Sequence, residues 1–310
     1  MKTIKRIFIL FLLLVMGNIT DAAAQNWLKR LGKRAEDAAK RKVERKLEEK
    51  VDKTMDNVFD KAEDGVAKKN NGGKTSIIEP PDTGTPAGDI SDWDDNKPYY
   101  ALKKGTKIVY TFYDGKGRVN GYNNQEIKEI THTINSVKAV VSGRYTDAKG
   151  KECGSATVSL RFNNGNFHVN LLDMMLPKEM GNLDLDAEVA GRDMMIPAKL
   201  VPGQILPGAE AGFRMKMKNG DESFELPPLV FRVFNRRAVR AESVETPVGK
   251  FVCFKIIQTV EADYPLVGKR LSTSVTWIGK GIGTVKAEGY DAKGKLVSRM
   301  LLTGLENDSL

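Results

Sequence analysis

The chain has 310 residues, of which 41% are hydrophobic and 29% are charged, and its formal charge is +9. This apolar fraction supports a packed core and excludes a wholly disordered chain. Two cysteines and two histidines exclude a disulfide scaffold and a cysteine-rich zinc module, and they leave little material for metal or acid–base chemistry near neutral pH.

The first 24 residues have the layout of a cleaved secretory signal. Three basic residues precede an uncharged apolar run at 7–16, and small residues follow at 22–24. The run is shorter than the roughly 20 residues that a membrane-spanning helix needs. We therefore predict cleavage between Ala24 and Gln25. The mature protein is expected in the periplasm, at the outer membrane or outside the cell.

Residues 25–69 are predicted to form a long charged helix. They contain no proline, and acidic residues precede basic ones by four positions, as in Glu36–Lys40 and Glu49–Lys53. The apolar stripe drifts around the helix because its average spacing exceeds one turn, so a coiled coil is only weakly specified. Three interpretations stay open: a solvated spacer, a helix that docks on an envelope protein partner, and a helix that lies on an anionic membrane surface.

Residues 70–97 are predicted to be a flexible acidic linker. Glycine, proline, aspartate and threonine dominate this stretch, and apolar residues are too sparse for a core. Removal of residues 1–24 takes away three basic residues and one acid, which leaves a mature charge of +7. Outside the cytoplasm such a charge favours anionic lipids or polymers, so no nucleic-acid partner is expected.

Residues 98–310 are predicted to form a mainly β domain, either an antiparallel sandwich or a partly closed barrel. Runs rich in β-branched and aromatic residues mark strands at 106–113, 127–133, 137–141, 251–260 and 272–278. The stretch 197–207 and the pair Pro227-Pro228 are interpreted as connections. A short helix is compatible only with 174–183.

One short motif occurs three times between strand signals, at Asp114–Arg118, Asp147–Lys151 and Asp291–Lys295. In each copy an aspartate is followed three positions later by a glycine and then by a basic residue. Aspartate accepts local backbone hydrogen bonds, and glycine supplies the positive φ with which the chain re-enters the ladder. The motif therefore predicts three hairpin turns rather than phosphate-binding loops.

A cluster of methionines suggests a pocket. Methionine adapts its shape to irregular apolar surroundings, so the cluster is interpreted as the lining of a site for a lipid-like ligand or as ordinary core. Its members are Met174, Met175, Met180, Met194 and Met195.

The sequence does not assign a specific function to the cysteines or the histidines. In an exported chain Cys153 and Cys253 either form a disulfide or remain two inert thiols, because the sequence does not show their separation. His132 and His168 alternate with other residues in strand patterns and are interpreted as strand residues rather than ligands.

Two further patterns resemble binding motifs without meeting their requirements. Asp184, Asp186 and Glu188 weakly resemble a calcium loop, but alanine stands where the turn glycine belongs, and an amphipathic strand explains the same alternation. The glycines of 279–283 lead into a strand rather than a helix, which excludes a dinucleotide site and favours a tight bend. No catalytic, metal or cofactor residues are predicted, and no cofactor is expected.

Three stretches of the β domain resemble exported Bacteroidota proteins called TapB-like. These are 99–110, 245–256 and 277–286, which together with the repeated turns extend the resemblance over about residues 98–305. The resemblance implies kinship with a wider periplasmic group of unknown function, built as a β-barrel-like or sandwich domain. It implies no established activity and no catalytic residues, and it supplies no fixed partner for Cys153.

These features predict an exported envelope protein that is not an enzyme. The favoured function is a binding module for a hydrophobic or lipid-like ligand near the methionine cluster. The alternatives are a structural or assembly protein whose helix 25–69 docks on an envelope partner, and a hydrolase, for which no pair of carboxylates can be located.

Overall fold

The computed structural model describes residues 98–169, 185–219, 222–264 and 268–306. The predicted signal peptide, charged helix, linker and short helix at 174–183 lie outside these residues. In the ranges that are described, no helix is long and apolar enough to cross a membrane.

The described residues form 14 strands in one antiparallel sheet that curls into a nearly closed barrel. The predicted mainly β class is thus confirmed, as a barrel. The strands are β1 (Lys107–Asp114), β2 (Val119–His132), β3 (Ser136–Asp147), β4 (Glu152–Asn163), β5 (Asn166–Val169), β6 (Leu185–Arg192), β7 (Met194–Pro197), β8 (Ile205–Leu206), β9 (Ala209–Asn219), β10 (Glu222–Thr246), β11 (Gly249–Tyr264), β12 (Gly268–Gly279), β13 (Gly283–Tyr290) and β14 (Leu296–Glu306).

Hydrogen bonding places the strands in the order β6-β9-β10-β11-β12-β13-β14-β1-β2-β3-β4-β5-β7, and β8 pairs with β10. We call the region where β7 meets β8 and β10 the seam. The backbone of the β7–β8 connection lies on β10 there: Gly203 N donates to Ala238 O at 2.8 Å, and Ala238 N donates to Gln204 O at 2.9 Å. The stretch 197–207 is therefore a connection, as predicted, except that Ile205 and Leu206 add a short strand.

All three repeated motifs form hairpin turns with the same hydrogen bonds. In the first, Asp114 Oδ1 accepts from the backbone N–H groups of Lys116 at 2.9 Å and Arg118 at 3.0 Å, and Gly117 has a φ of +77°. In the second and third turns the two hydrogen-bond lengths agree with those of the first within 0.1 Å, and the φ of the glycine agrees within 1°. They join β1 to β2, β3 to β4 and β13 to β14, so local chemistry alone explains three of the barrel's connections.

The interpretation of Pro227-Pro228 as a connection is wrong, because both residues lie within β10. The ladder between β9 and β10 shifts register between Leu226 and Leu229, so the two prolines occupy an irregularity in a continuous strand. Proline has no N–H to donate, and a break in the ladder is where a sheet tolerates it.

A second irregularity in β10 redirects its side chains. The β10–β11 register runs from Phe234 opposite Thr259 directly to Arg237 opposite Ile257, which leaves Asn235 and Arg236 in a bulge. Asn235 has a φ of +51°, in the left-handed region that asparagine tolerates better than most residues. Such a bulge changes the phase of the strand and can turn a side chain to the other face.

The segment that precedes β1 lies across one end of the barrel. The carbonyl of Tyr99 accepts hydrogen bonds from Ile282 N at 2.9 Å and Gly283 N at 2.6 Å, in the β12–β13 turn. The ring of Tyr100 stacks on Phe167 of β5, with 4.2 Å between the ring centroids. These contacts join two distant parts of the sheet, so residues 98–101 help to hold the barrel in its curled form.

Candidate functional site

The barrel encloses a cavity of about 100 Å³. Its wall comes from strands all around the barrel, because side chains at alternate positions of each strand point inward. Most of the wall is aliphatic and is formed by residues such as Ile108, Ile127, Val141, Leu160, Ile196 and Ile256. The interior of the barrel is therefore a mainly apolar space of the kind that holds small ligands.

A few polar side chains converge on this apolar wall. Tyr100, Tyr110 and Tyr145 line the cavity from one side, and Gln258 and Arg236 line it at the seam. Burial raises the pKa of all three phenols above its ordinary value of 10.0, so they stay protonated at physiological pH. They can act as neutral hydrogen-bond partners, and none of them is suited to act as a base.

Arg236 is the one cation among the residues that line the cavity, and only 1% of its surface is exposed. Its Nε donates to Gln258 Oε1 at 3.1 Å, and Nη1 donates to the carbonyls of Met195 at 2.9 Å and Pro207 at 2.6 Å. Since β7 and β10 lie on opposite sides of the seam, the bond to Met195 also helps to close the barrel. Burial lowers the pKa of the guanidinium to about 10, which leaves it charged at pH 7.

A second polar cluster lies on the outer face of the sheet, opposite the cavity. Glu242 of β10 accepts a hydrogen bond from Trp277 Nε1 at 2.7 Å, and its other oxygen lies 3.0 Å from Arg240 Nη2 and 3.5 Å from Lys255 Nζ. Lys286 Nζ lies 4.3 Å from the centroid of the Trp277 ring, within cation–π range. The buried carboxylate is thus paired with cations on its own sheet.

Glu288 forms a similar group on β13, three strands from β10 in the sheet. Its Oε1 lies 3.0 Å from Lys286 Nζ and accepts from Arg299 Nε at 2.9 Å, while Oε2 accepts from the Tyr290 hydroxyl at 2.6 Å. Burial raises the pKa of Glu288, but the hydrogen bond from Tyr290 and the two cations outweigh it, so the pKa lies below its ordinary value. A carboxylate held ionised in this way suits an ion pair and does not suit a general acid.

The predicted pocket residues fall into three groups. Met194 lines the cavity, whereas Met195 contributes its backbone carbonyl to Arg236. Met174, Met175 and Met180 lie outside the described residues. The structure thus places one side chain of the methionine cluster in the cavity wall.

The two cysteines are free and buried. Cys153 Sγ lies 3.4 Å from the carbonyl oxygen of Lys151, and Cys253 Sγ lies 3.8 Å from that of Phe251. The disulfide that the sequence left open is therefore not formed in this structure, and each thiol lies against the backbone carbonyl two residues before it. Burial, with the charge of Glu242, raises the pKa of the Cys253 thiol to about 12, which makes it a poor nucleophile.

The other candidates form no site among the described atoms. His132 lies in β2 and His168 in β5. Asp186 and Glu188 lie in β6, while Asp184 and the side chains of that strand's first part are outside the description. Within the described ranges no group of three or more histidine, cysteine or carboxylate side chains is placed to hold a metal ion.

Sequence reasoning missed Arg236, which is the most unusual residue of the cavity. The available signal was the pair Arg236-Arg237 inside a strand pattern, where alternation places one arginine inside and one outside. Which of the two turns inward depends on the bulge at Asn235, and that bulge has no clear local sequence signature.

The barrel has counterparts among solved structures. A Bacteroides fragilis protein, described as exported and with a YmcC-like fold, is 21% identical and has a TM-score of 0.54, and the match covers 68% of this chain and 100% of that one. A Parabacteroides distasonis protein described as a lipoprotein is 18% identical with a TM-score of 0.56, over 69% of this chain and 100% of its own. At these identities the likeness shows the fold alone.

No curated protein matches the chain. The model of one family, described as DUF3108-like, matches residues 103–302, from just before β1 into β14. That range contains every strand that lines the cavity and both carboxylate clusters. The chain therefore belongs to the DUF3108-like family, whose function is unknown.

Proposed function

We propose that this protein is an exported, non-enzymatic binding module of the cell envelope, which takes a small apolar or amphiphilic ligand into its barrel. The observation that carries the proposal is the cavity, where a few polar side chains converge on an aliphatic wall. This combination is typical of small-molecule sites, in which apolar surface supplies affinity and a few polar groups supply orientation. The buried carboxylates Glu242 and Glu288 are occupied in ion pairs, which argues against hydrolysis.

The size of the cavity limits the ligand. About 100 Å³ is roughly two-thirds of an engineered cavity of about 150 Å³ that holds benzene. The barrel in this form therefore accommodates a molecule of only a few non-hydrogen atoms, or one end of a longer lipid-like molecule. A whole acyl chain would require the seam to open.

Two observations support export as part of the proposal. The N-terminal 24 residues have the layout of a secretory signal, and the structural neighbours from Bacteroides fragilis and Parabacteroides distasonis are described as exported and as a lipoprotein. The resemblance of the β domain to TapB-like proteins agrees with this location. Membership of that narrower group is part of the proposal, because the family model that matches the chain describes the wider DUF3108-like family.

The experiment is native mass spectrometry of mature protein, residues 25–310, isolated without detergent from the envelope of its own host. We expect extra mass that is released on denaturation, and its identity would name the ligand. Ala156→Leu, which extends a side chain into the cavity, should abolish that mass. The matched control is Thr157→Leu, a half-buried neighbour on the other face of β4, which should retain it. The proposal would be refuted if the native wild-type protein had only the mass of its amino-acid sequence and did not bind added hydrophobic probes.

Residues 25–69 carry a separate proposal, since they lie outside the described part. We propose that this charged segment attaches the barrel to an envelope protein partner or to an anionic membrane surface. Deletion of residues 25–69 should move the protein from the envelope fraction to the soluble fraction while the β domain keeps its thermal unfolding midpoint. An unchanged distribution would show that the segment is a spacer.

A further inference from the structure

The bulge in β10 places a charged side chain where an apolar one would be expected. Asn235 adopts a left-handed conformation, and the next residue, Arg236, lines the cavity together with Gln258. Arg237, one position further, faces away from the cavity opposite Ile257. Bulges are frequent beside functional sites, because they re-aim one side chain without disturbing the rest of the strand.

The guanidinium of Arg236 has hydrogen-bond partners but no counter-charge. Its three hydrogen bonds go to an amide oxygen and two backbone carbonyls, all of them neutral. They use three of the five N–H groups of an arginine, and both N–H groups of Nη2 remain. In the described part of the chain no carboxylate is paired with Arg236, and burial is the only influence on its pKa.

An unpaired charge in this position is costly. Burial removes the water that solvates an ion, and this loss is normally offset by an opposite charge with good geometry. Among the described residues, the buried carboxylates Glu242 and Glu288 both lie against cations, as expected. Arg236, which lines the cavity, has no such partner there.

We infer that Arg236 is the recognition group for an anionic ligand, and that the ligand is an organic carboxylate whose apolar part fills the cavity. The inference rests on the proposed binding function, whose site it uses. A carboxylate oxygen that accepts from Nη2 supplies the missing counter-charge with a charge-assisted hydrogen bond. The largely aliphatic wall around it disfavours a fully hydrated inorganic anion, because such an ion would exchange its whole water shell for only a few polar partners.

Two sources supply this chemistry: a short-chain acid, which fits the cavity whole, and a fatty acid, whose head alone fits it. Propionate and octanoate represent them, and their amides are neutral molecules of the same size. Isothermal titration of mature protein, residues 25–310, with all four compounds separates charge from shape. We expect at least tenfold tighter binding of the acid than of its amide in one pair or in both, and the stronger acid identifies the source.

Two variants locate the effect. Arg236→Met should abolish the difference between acid and amide, whereas Arg237→Met, a matched loss of charge on the neighbouring residue, should preserve it. The comparison of acid with amide in wild type decides the inference even if Arg236→Met does not fold.

Three results would overturn the inference. Equal affinity for an acid and its amide would refute anion recognition but would not contradict the proposed binding function. Inorganic phosphate that binds as tightly as the acids would assign the site to a general anion. An absence of binding by all of these compounds, with no mass released from protein isolated from its host, would remove the binding function as well.

Discussion

Glu242 offers the sharpest test of how the outer face of the barrel is stabilised. Its side chain is 1% exposed, and its neighbour Lys255 is 5% exposed. Glu242→Gln keeps the shape and retains an oxygen that can accept from Trp277 Nε1. The substitution removes only the negative charge, which leaves the ammonium of Lys255 and the guanidinium of Arg240 facing a neutral amide.

The expected cost follows from the burial of this group. Removal of one partner from a buried ion pair typically costs about 3–5 kcal/mol, because the remaining charge stays in a poorly solvated place. For a domain of this size each kcal/mol lowers the thermal midpoint by roughly 2–4 °C, so Glu242→Gln should lower it by roughly 6–20 °C. The variant Glu242→Gln/Lys255→Met removes both charges and should recover part of that loss.

Circular dichroism during thermal and urea unfolding measures both variants. The control is Glu126→Gln, the same change in a solvent-exposed pair with Lys128, which should leave the midpoint within error of wild type. A loss below about 1 kcal/mol for Glu242→Gln would refute the reasoning, because it would show that solvent reaches this cluster.

Three further predictions address pH, thiol chemistry and backbone strain. The pKa of Glu288 is lowered from its ordinary value of 4.5, so this group stabilises the fold above that pH and the contribution is lost as the pH falls through the lower, folded value. Glu288→Gln should therefore flatten the acid limb of a stability–pH curve, and an unchanged slope below pH 4.5 would contradict the assignment. The thiol of Cys253, with its pKa near 12, should resist iodoacetamide at pH 8 until the protein is unfolded, and rapid labelling of native protein would contradict its burial. Gly283 has a φ of +98°, and a Cβ at this position would lie 2.9 Å from the ring of Tyr100. Gly117 has a φ of +77°, and a Cβ at that position would have no atom within 4 Å. Gly117→Ala should cost only the backbone strain of about 1–2 kcal/mol, and urea unfolding should show a larger loss for Gly283→Ala; equal losses would show that the ring moves aside freely.

Much of the fold was predictable because it depends on local chemistry. Each of the three turns is specified by one aspartate and one glycine three positions apart, and each has the predicted geometry. The strand runs were also readable, since β-branched and aromatic residues alternate along them. The prolines of β10 were misinterpreted, because an irregularity in the middle of a long strand resembles a chain break when only neighbours in sequence are considered.

The candidate site was much less predictable. Of the described members of the methionine cluster, only Met194 lines the cavity. Tyr100 precedes β1, whereas Tyr145 lies in β3 and Gln258 in β11, and nothing in their local pattern shows that they share a space. Cavities are formed by pairing between distant strands, which no short window of sequence contains.

The sequence by itself determined the class of the fold and the position of its turns, because these depend on composition and on interactions within a few residues. It is also the basis of the export signal, which stays a prediction. Only the tertiary structure decided that the sheet curls into a nearly closed barrel and that the two cysteines are buried, free thiols. It also decided that Arg236, rather than Arg237, faces the interior. The physical reason is that a bulge in β10 is set by how this strand pairs with β11, and the bulge decides which side chains face the interior. Whether a charge is buried depends likewise on all the residues that surround it.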